Sequence, residues 1–267
     1  MHLITLLSSL ASVVSASPLF QSLTSDTLSP RNVLSKRHPP PPLPGNDPWY
    51  LAPKNIEDYS PGDILKWRPG KPLSLDNDIA LETGPVYQIQ YRSTDSKGFP
   101  LANVLTAIVP EKNVKFGNLF TAIYFSDSPS PHYNPSLDMT LRTGYPIVWT
   151  KQQLGTIVSA LNEGWIVAVP DDNGVRASFP SGPTSAYTTI DCMRAMLQSE
   201  SITGLHRDAV VTLNGYSGGG ITSAWVAEMQ PEYAPELKIA GIATGGLVPD
   251  FVYLSGELDI YSIMSIR

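Results

Sequence analysis

From residue 86 onward the chain alternates between two hydrophobic periods. Val86-Tyr87-Gln88-Ile89-Gln90-Tyr91 has the two-residue period of a strand. Gly98-Phe99-Pro100 closes a turn, and Leu101 to Val109 forms the neighbouring strand, ended by Pro110. The pair predicts an antiparallel hairpin at a sheet edge. Leu119 to Phe125 is a third, more apolar strand. The period then lengthens. Leu154, Ile157, Val158 and Leu161 fall at i, i+3, i+4 and i+7, the apolar face of a helix, and Gly164 supplies its stop. Trp165 to Val169 is a strand ended by Pro170-Asp171. A helix around Ile190, a strand from Ala209 to Leu213, a helix from Gly219 and a strand from Leu237 to Ala243 follow. Strands alternating with helices at this spacing make βαβ units. The fold class is therefore α/β, a mostly parallel sheet with helices on both faces.

Ahead of this region the pattern is different. Leu3 to Leu10 is a short apolar run, and Val14-Ser15-Ala16 offers small residues for cleavage, which reads as a secretory signal over 1–16. The run is too short to span a bilayer, and nothing downstream resembles a membrane span. A polar stretch leads to Lys36-Arg37. Two readings of that pair stand side by side: a cleavage site that makes 17–37 a propeptide, or an exposed basic pair. His38 to Pro44 is a proline run. Residues 47–84, rich in Pro, Gly and Asp and anchored by Trp49, Tyr50, Ile64, Leu65 and Trp67, read as an irregular arm packed on the body. The organisation is thus a Pro-rich arm over 38–84, an α/β domain over 85–250, and an unassigned tail over 251–267.

Composition narrows the partners. Charged residues are 16% of the 267, the net charge is −6, and no Lys/Arg run exceeds two, so no electrostatic footprint for nucleic acid exists. Cys192 is the single cysteine, which excludes an internal disulfide. It lies in a helical stretch and reads as a buried small hydrophobe. No metal-ligand spacing is present.

The chemistry resides in Gly215-Tyr216-Ser217-Gly218-Gly219, a Gly-x-Ser-x-Gly motif. An apolar strand precedes it and a helix follows, the build of a nucleophile elbow. Glycines at 215 and 219 allow close approach to neighbouring elements. The helix points its positive end at the site, which favours a developing oxyanion. The backbone N–H of Gly218 is one oxyanion donor by construction. A second belongs in the loop after the third strand, Ser126 to Pro131, which on spacing alone reads as a Pro/Ser turn. Asp171 and Asp172 end a strand, where catalytic acids can sit, but they precede the nucleophile and read as loop residues. Asp250 and Asp259 follow it too closely for the usual acid. All four histidines, His2, His38, His132 and His206, precede Ser217.

Several segments together resemble the fungal secretory lipase family. They are Asp47-Pro48-Trp49-Tyr50, Pro61 to Leu65, Gly164 to Asp171, Gly215 to Gly220 and Gln230 to Leu237. The resemblance covers roughly Asp47 to Val248. It implies an α/β-hydrolase fold, here incomplete at the C-terminus, and hydrolysis of triacylglycerols or other carboxylic esters at an oil–water interface. It implies Ser217 as nucleophile with Gly218 and Asp127 as oxyanion donors, and no cofactor. It also implies that the family's catalytic acid and histidine fall beyond residue 267, so the chain as it stands is expected to be inactive on esters. A second reading is a non-catalytic product that binds lipid or a partner. A third keeps the fold and changes the reaction to peptidase or acyl transfer.

Overall fold

The computed structural model describes residues 47–70, 74–75, 79–80, 83–123, 147–174 and 182–247. The signal run, the dibasic pair, the proline run, the loop with Asp127 and His132, and the 251–267 tail lie outside them.

In chain order the strands and helices are β1 (Ile64–Pro69), β2 (Ser74–Leu75), β3 (Ile79–Ala80), β4 (Val86–Thr94), β5 (Pro100–Ile108), β6 (Lys115–Ile123), α1 (Ile147–Asn162), β7 (Trp165–Pro170), α2 (Gly182–Leu197), the short α3 (Glu200–Thr203), β8 (Val210–Tyr216), α4 (Gly218–Tyr233) and β9 (Ile239–Gly245). Seven of these strands form one sheet in the order β1-β4-β5-β7-β6-β8-β9. The joins from β1 to β7 are antiparallel, and those linking β7, β6, β8 and β9 are parallel. The change follows from the connections. A tight turn joins β4 to β5, with Asp95 Oδ1 accepting from Lys97 N and Phe99 N and with Gly98 at φ 85°. Parallel neighbours need long crossovers, which the helices supply.

The β4–β5 hairpin is not at the sheet edge. Within the stretch read as an irregular arm, β1 pairs with β4 from Ile64↔Tyr91 to Pro69↔Tyr87 and takes the edge itself. The arm also explains why β4, an alternating strand by sequence, is buried on both faces. Gln88 and Gln90 are buried among arm residues. Arg68 Nε donates to Gln88 Oε1 at 2.8 Å, and Gln90 Nε2 donates to the Trp49 carbonyl at 3.2 Å. Arg68 in turn pairs with Asp47 at 2.9 Å and lies over the Trp49 ring at 4.1 Å. Trp49 and Tyr50 therefore shield polar side chains that water would otherwise reach.

Two apolar layers hold the helices. On one face Ile157, Ala160 and Leu161 of α1 meet Val86, Ile108, Val167 and Val169. On the other, Ile190, Met193 and Met196 of α2 and Val226 of α4 pack on Ile89, Leu105, Ile166 and Leu213. Each such fully buried side chain contributes about 1.5–3 kcal/mol. Cys192 is fully buried there, as a small hydrophobe should be. A polar lock closes the α2–α4 contact. Asp191 accepts from Ser93 Oγ at 2.8 Å, from Arg194 at 3.0 Å and from Tyr233 OH at 3.0 Å. Arg194 reaches on to Glu236 at 2.6 Å and to the Tyr233 carbonyl at 2.8 Å. Tyr233 and Glu236 belong to the Pro-Glu-Tyr-Ala-Pro-Glu-Leu segment, and this lock is its structural task.

Candidate active site

Ser217 stands between the last residue of β8 and the first of α4, at φ 56° and ψ −116°. This is a sparsely populated backbone region for a residue with a side chain. It persists only where the surroundings over-determine it. Here they do. Ser217 N donates to the Gly245 carbonyl of β9 at 2.9 Å, and Ile221 N donates to the Ser217 carbonyl at 3.1 Å to begin the helix. Thr244 Oγ1 of β9 donates to the Gly220 carbonyl at 3.3 Å.

The glycines have separate reasons. A Cβ on Gly215 would strike the Gly219 carbonyl and the Ser223 hydroxyl. A Cβ on Gly220 would lie 2.7 Å from the Gly245 carbonyl and 2.9 Å from Thr244 Oγ1. Gly220 is thus a further close approach, outside the pentapeptide. Gly218 and Gly219 are buried in the first turn of α4. Their N–H groups are among the four at a helix start that have no intrahelical acceptor.

The parallel strands deliver their ends to one edge. Ile123 at the end of β6 is level with Gly215, and Gly245 at the end of β9 is level with Tyr216. Thr121 of β6 is level with Ala168 of β7, so the β7 end arrives there too. The carboxyl edge of a parallel sheet is where ligands bind in open α/β folds. Asp127 is four residues past the end of β6 in the chain and lies outside the described residues.

His206 is at the other edge. Its N–H donates to the Phe116 carbonyl at the start of β6 at 2.8 Å, and its ring stacks on Phe116 with centroids 6.2 Å apart. The length of β8, about 20 Å, separates it from Ser217. His206 is therefore not the base for Ser217.

Asp171 and Asp172 lie in the turn after β7, as loop residues, and are buried, 3% and 2% exposed. Burial pushes both carboxyls up. Asp172 rises to about 7, and Asp171, beside the Asp172 charge, goes well above the usual range. One oxygen of Asp172 accepts from Thr222 Oγ1 of α4 at 3.0 Å. Asp191 also rises, to about 6, because burial outweighs its hydrogen bonds and the nearby Arg194. Periodicity held no signal for these acids, because their burial is set by what packs over them.

A family model described as secretory lipase matches residues 141–261, past the Val248 limit of the sequence resemblance. Lipase A of Arthroderma benhamiae is 36% identical over 77% of the chain and 45% of its own length. Lipase 6 of Candida albicans is 36% identical over 81% of the chain and 47% of its own length. Secreted triacylglycerol lipase LIP2 of Malassezia furfur is 34% identical over 82% and 46%. The crystal structure of Candida antarctica lipase A in its closed state superposes with a TM-score of 0.68. It is 28% identical over 78% of this chain and 47% of that one. The architecture is the α/β-hydrolase fold. The chain spans about half the length of the relatives it matches.

Proposed function

The chain belongs to the secretory lipase family, and from that premise we propose that the protein is a secreted hydrolase of carboxylic esters, triacylglycerols among them, with Ser217 as its nucleophile. The observation that carries the proposal is the backbone of Ser217, held at φ 56° on a strand-to-helix turn at the carboxyl edge of the sheet.

In this reading a base takes the Ser217 Oγ proton as Oγ attacks the ester carbonyl. The tetrahedral oxyanion is held by the Gly218 N–H and by Asp127 as second donor. Collapse expels the alcohol, which takes a proton from the base. Water then repeats the sequence and frees the acid. No cofactor enters. In this fold the acid and the histidine follow the nucleophile in the chain, and none of the four histidines of the 267 residues does so. Their exclusion, and the position of His206, assign the base to none of them.

The experiment is hydrolysis of tributyrin emulsion and of a soluble short-chain ester by the protein secreted from its complete reading frame, beside Ser217→Ala in the same reading frame. The expected loss is about 10⁴-fold or more. Equal turnover by the two proteins sinks the reading. Faster hydrolysis of emulsified than of dissolved ester is the outcome expected of an enzyme working at an oil–water interface. Secretion is tested by N-terminal sequencing of the protein from culture medium, with Ser17 or His38 expected as the first residue. A cytosolic chain that retains Met1 contradicts it. A non-catalytic lipid binder is not favoured, because the named relatives are lipases.

A further inference from the structure

The turn after β7 carries a carboxyl group that the chemistry above does not use. It is held from several sides. Asp171 N donates to the Val104 carbonyl of β5 at 3.0 Å, and Asn103 Nδ2 donates to the Asp171 carbonyl at 2.8 Å. Thr188 Oγ1 of α2 donates to the Asp172 carbonyl at 3.2 Å. The Asp172 side chain faces the other way, to Thr222 Oγ1 of α4 at 3.0 Å. Thr222 is five residues past Ser217, about 7.5 Å along the helix. The β7 turn is therefore tied to the helix that presents Ser217, one turn behind it.

The second carboxyl oxygen, Oδ1, is buried and has no hydrogen-bond partner among the described residues. Burial disfavours a charge there and outweighs the Thr222 hydroxyl and the residue's own backbone N–H, which favour one. Asp171 on the same turn is acidic and buried. Tyr91 of β4, whose phenol burial raises, feels Asp171 and Asp191. From α2 and α4 come the hydroxyls of Thr188 and Thr222. No cation among the described residues acts on Asp172. A neutral carboxyl fits this place. A carboxylate would set a negative charge close behind the helix start that has to receive the negative charge of the oxyanion.

We propose that Asp172 is a positioning residue for Ser217: as a neutral acid it ties the nucleophile helix to the end of β7 through Thr222, and its ionisation opposes the oxyanion at Gly218. The proposal rests on the reading of Ser217 as nucleophile and adds a second proton site to it. When Asp172 ionises, its proton passes to solvent and no covalent bond changes.

The test uses the protein expressed from its complete reading frame. A p-nitrophenyl alkylphosphonate forms an Oγ–P bond with Ser217 and releases p-nitrophenolate, which is followed by absorbance. Labelling rates are measured from pH 5.5 to 8.5 for wild type, Asp172→Asn, Thr222→Val and Thr222→Ser. The ratio of wild type to Asp172→Asn cancels every titration the two share, the base included. That ratio is expected to fall about tenfold between pH 6 and pH 8 as a group with a midpoint of about 7 ionises. A ratio constant within twofold overturns the proposal and leaves Ser217 as nucleophile. If Asp172→Asn does not fold, Thr222→Val carries the test. It withdraws the hydrogen bond that favours the charged form, so its alkaline fall should move to higher pH, with Thr222→Ser staying at the wild-type position. An unmoved fall overturns the proposal. A wild type that does not label, or labels no faster than Ser217→Ala, removes the nucleophile reading and this proposal with it.

Discussion

Ser217 is held in a backbone region that costs about 1–3 kcal/mol, and single atoms decide whether the neighbours can hold it there. Gly215 is the most exposed to this logic. Its Cα faces the Gly219 carbonyl and the Ser223 hydroxyl, which itself donates to that carbonyl at 2.8 Å. Neither is the far end of a flexible side chain, so Gly215→Ala is expected to destabilise by about 1–3 kcal/mol. A urea midpoint shift at unchanged slope measures it. An unshifted midpoint means the elbow is looser than described. Asp191 makes a second prediction at this scale. Its carboxyl is fully buried and its midpoint is raised to about 6, against about 4 in an unfolded chain. The folded state therefore binds the extra proton. The contribution of Asp191 is complete below pH ~4 and is lost as pH rises through about 6. Thermal midpoints of wild type minus Asp191→Asn should fall across that window. A difference that rises with pH would mean that Arg194, not burial, governs the group.

Elements are joined here by polar ties as well as by apolar layers, and the ties differ in worth. Arg194 locks α2 to the end of α4. Arg194→Met leaves the fully buried Asp191 without its cation. Breaking such a pair costs about 3–5 kcal/mol. Glu236 holds the same arginine from a side chain 56% exposed. Glu236→Gln should cost less than about 1 kcal/mol, because solvent already screens that pair. Chemical denaturation of the two variants orders them, and an equal loss would refute the distinction. The arm is tied by Arg68, which pairs with Asp47 and lies over Trp49. Arg68→Ala is expected to expose residues 47–59 to limited proteolysis while shifting the global midpoint by under about 1 kcal/mol. Intact protection of that segment would mean that the 3₁₀ turns at Pro48–Tyr50 and Ile56–Asp58 dock without it.

Across the molecule the sheet has a protected middle. β7, β6 and β8 lie inside it, while β1 and β9 each pair with one neighbour among the described residues. Hydrogen exchange should therefore be slowest for Ile166, Ala168 and Leu213 and fastest in β1 and β9. Comparable protection in β9 would mean that another segment covers it. Much of this architecture was legible in advance. Residues 154–161 announced a helix by their 3.6-residue period, and 165–169 a strand ended by Pro170-Asp171. The spacing of Gly215, Ser217 and Gly219 located the elbow. These are local facts: a residue's own period and its neighbours' turn chemistry act within a few positions of the chain. The rest depended on elements far apart in sequence. Ile64–Pro69 became a strand because β4 offered it an edge. Gln88 and Gln90 lost their water to Trp49 and Tyr50. His206 was carried to the amino edge by the direction of β8, away from Ser217. Asp172 was buried because α2 and α4 close over the β7 turn, and no periodicity records which surfaces will meet. The sequence by itself determined the main strands and helices from residue 86 onward and where the nucleophile turn lies. The tertiary structure alone decided which polar groups lose water and which ends of the strands share an edge, since both are set by packing between distant parts of the chain.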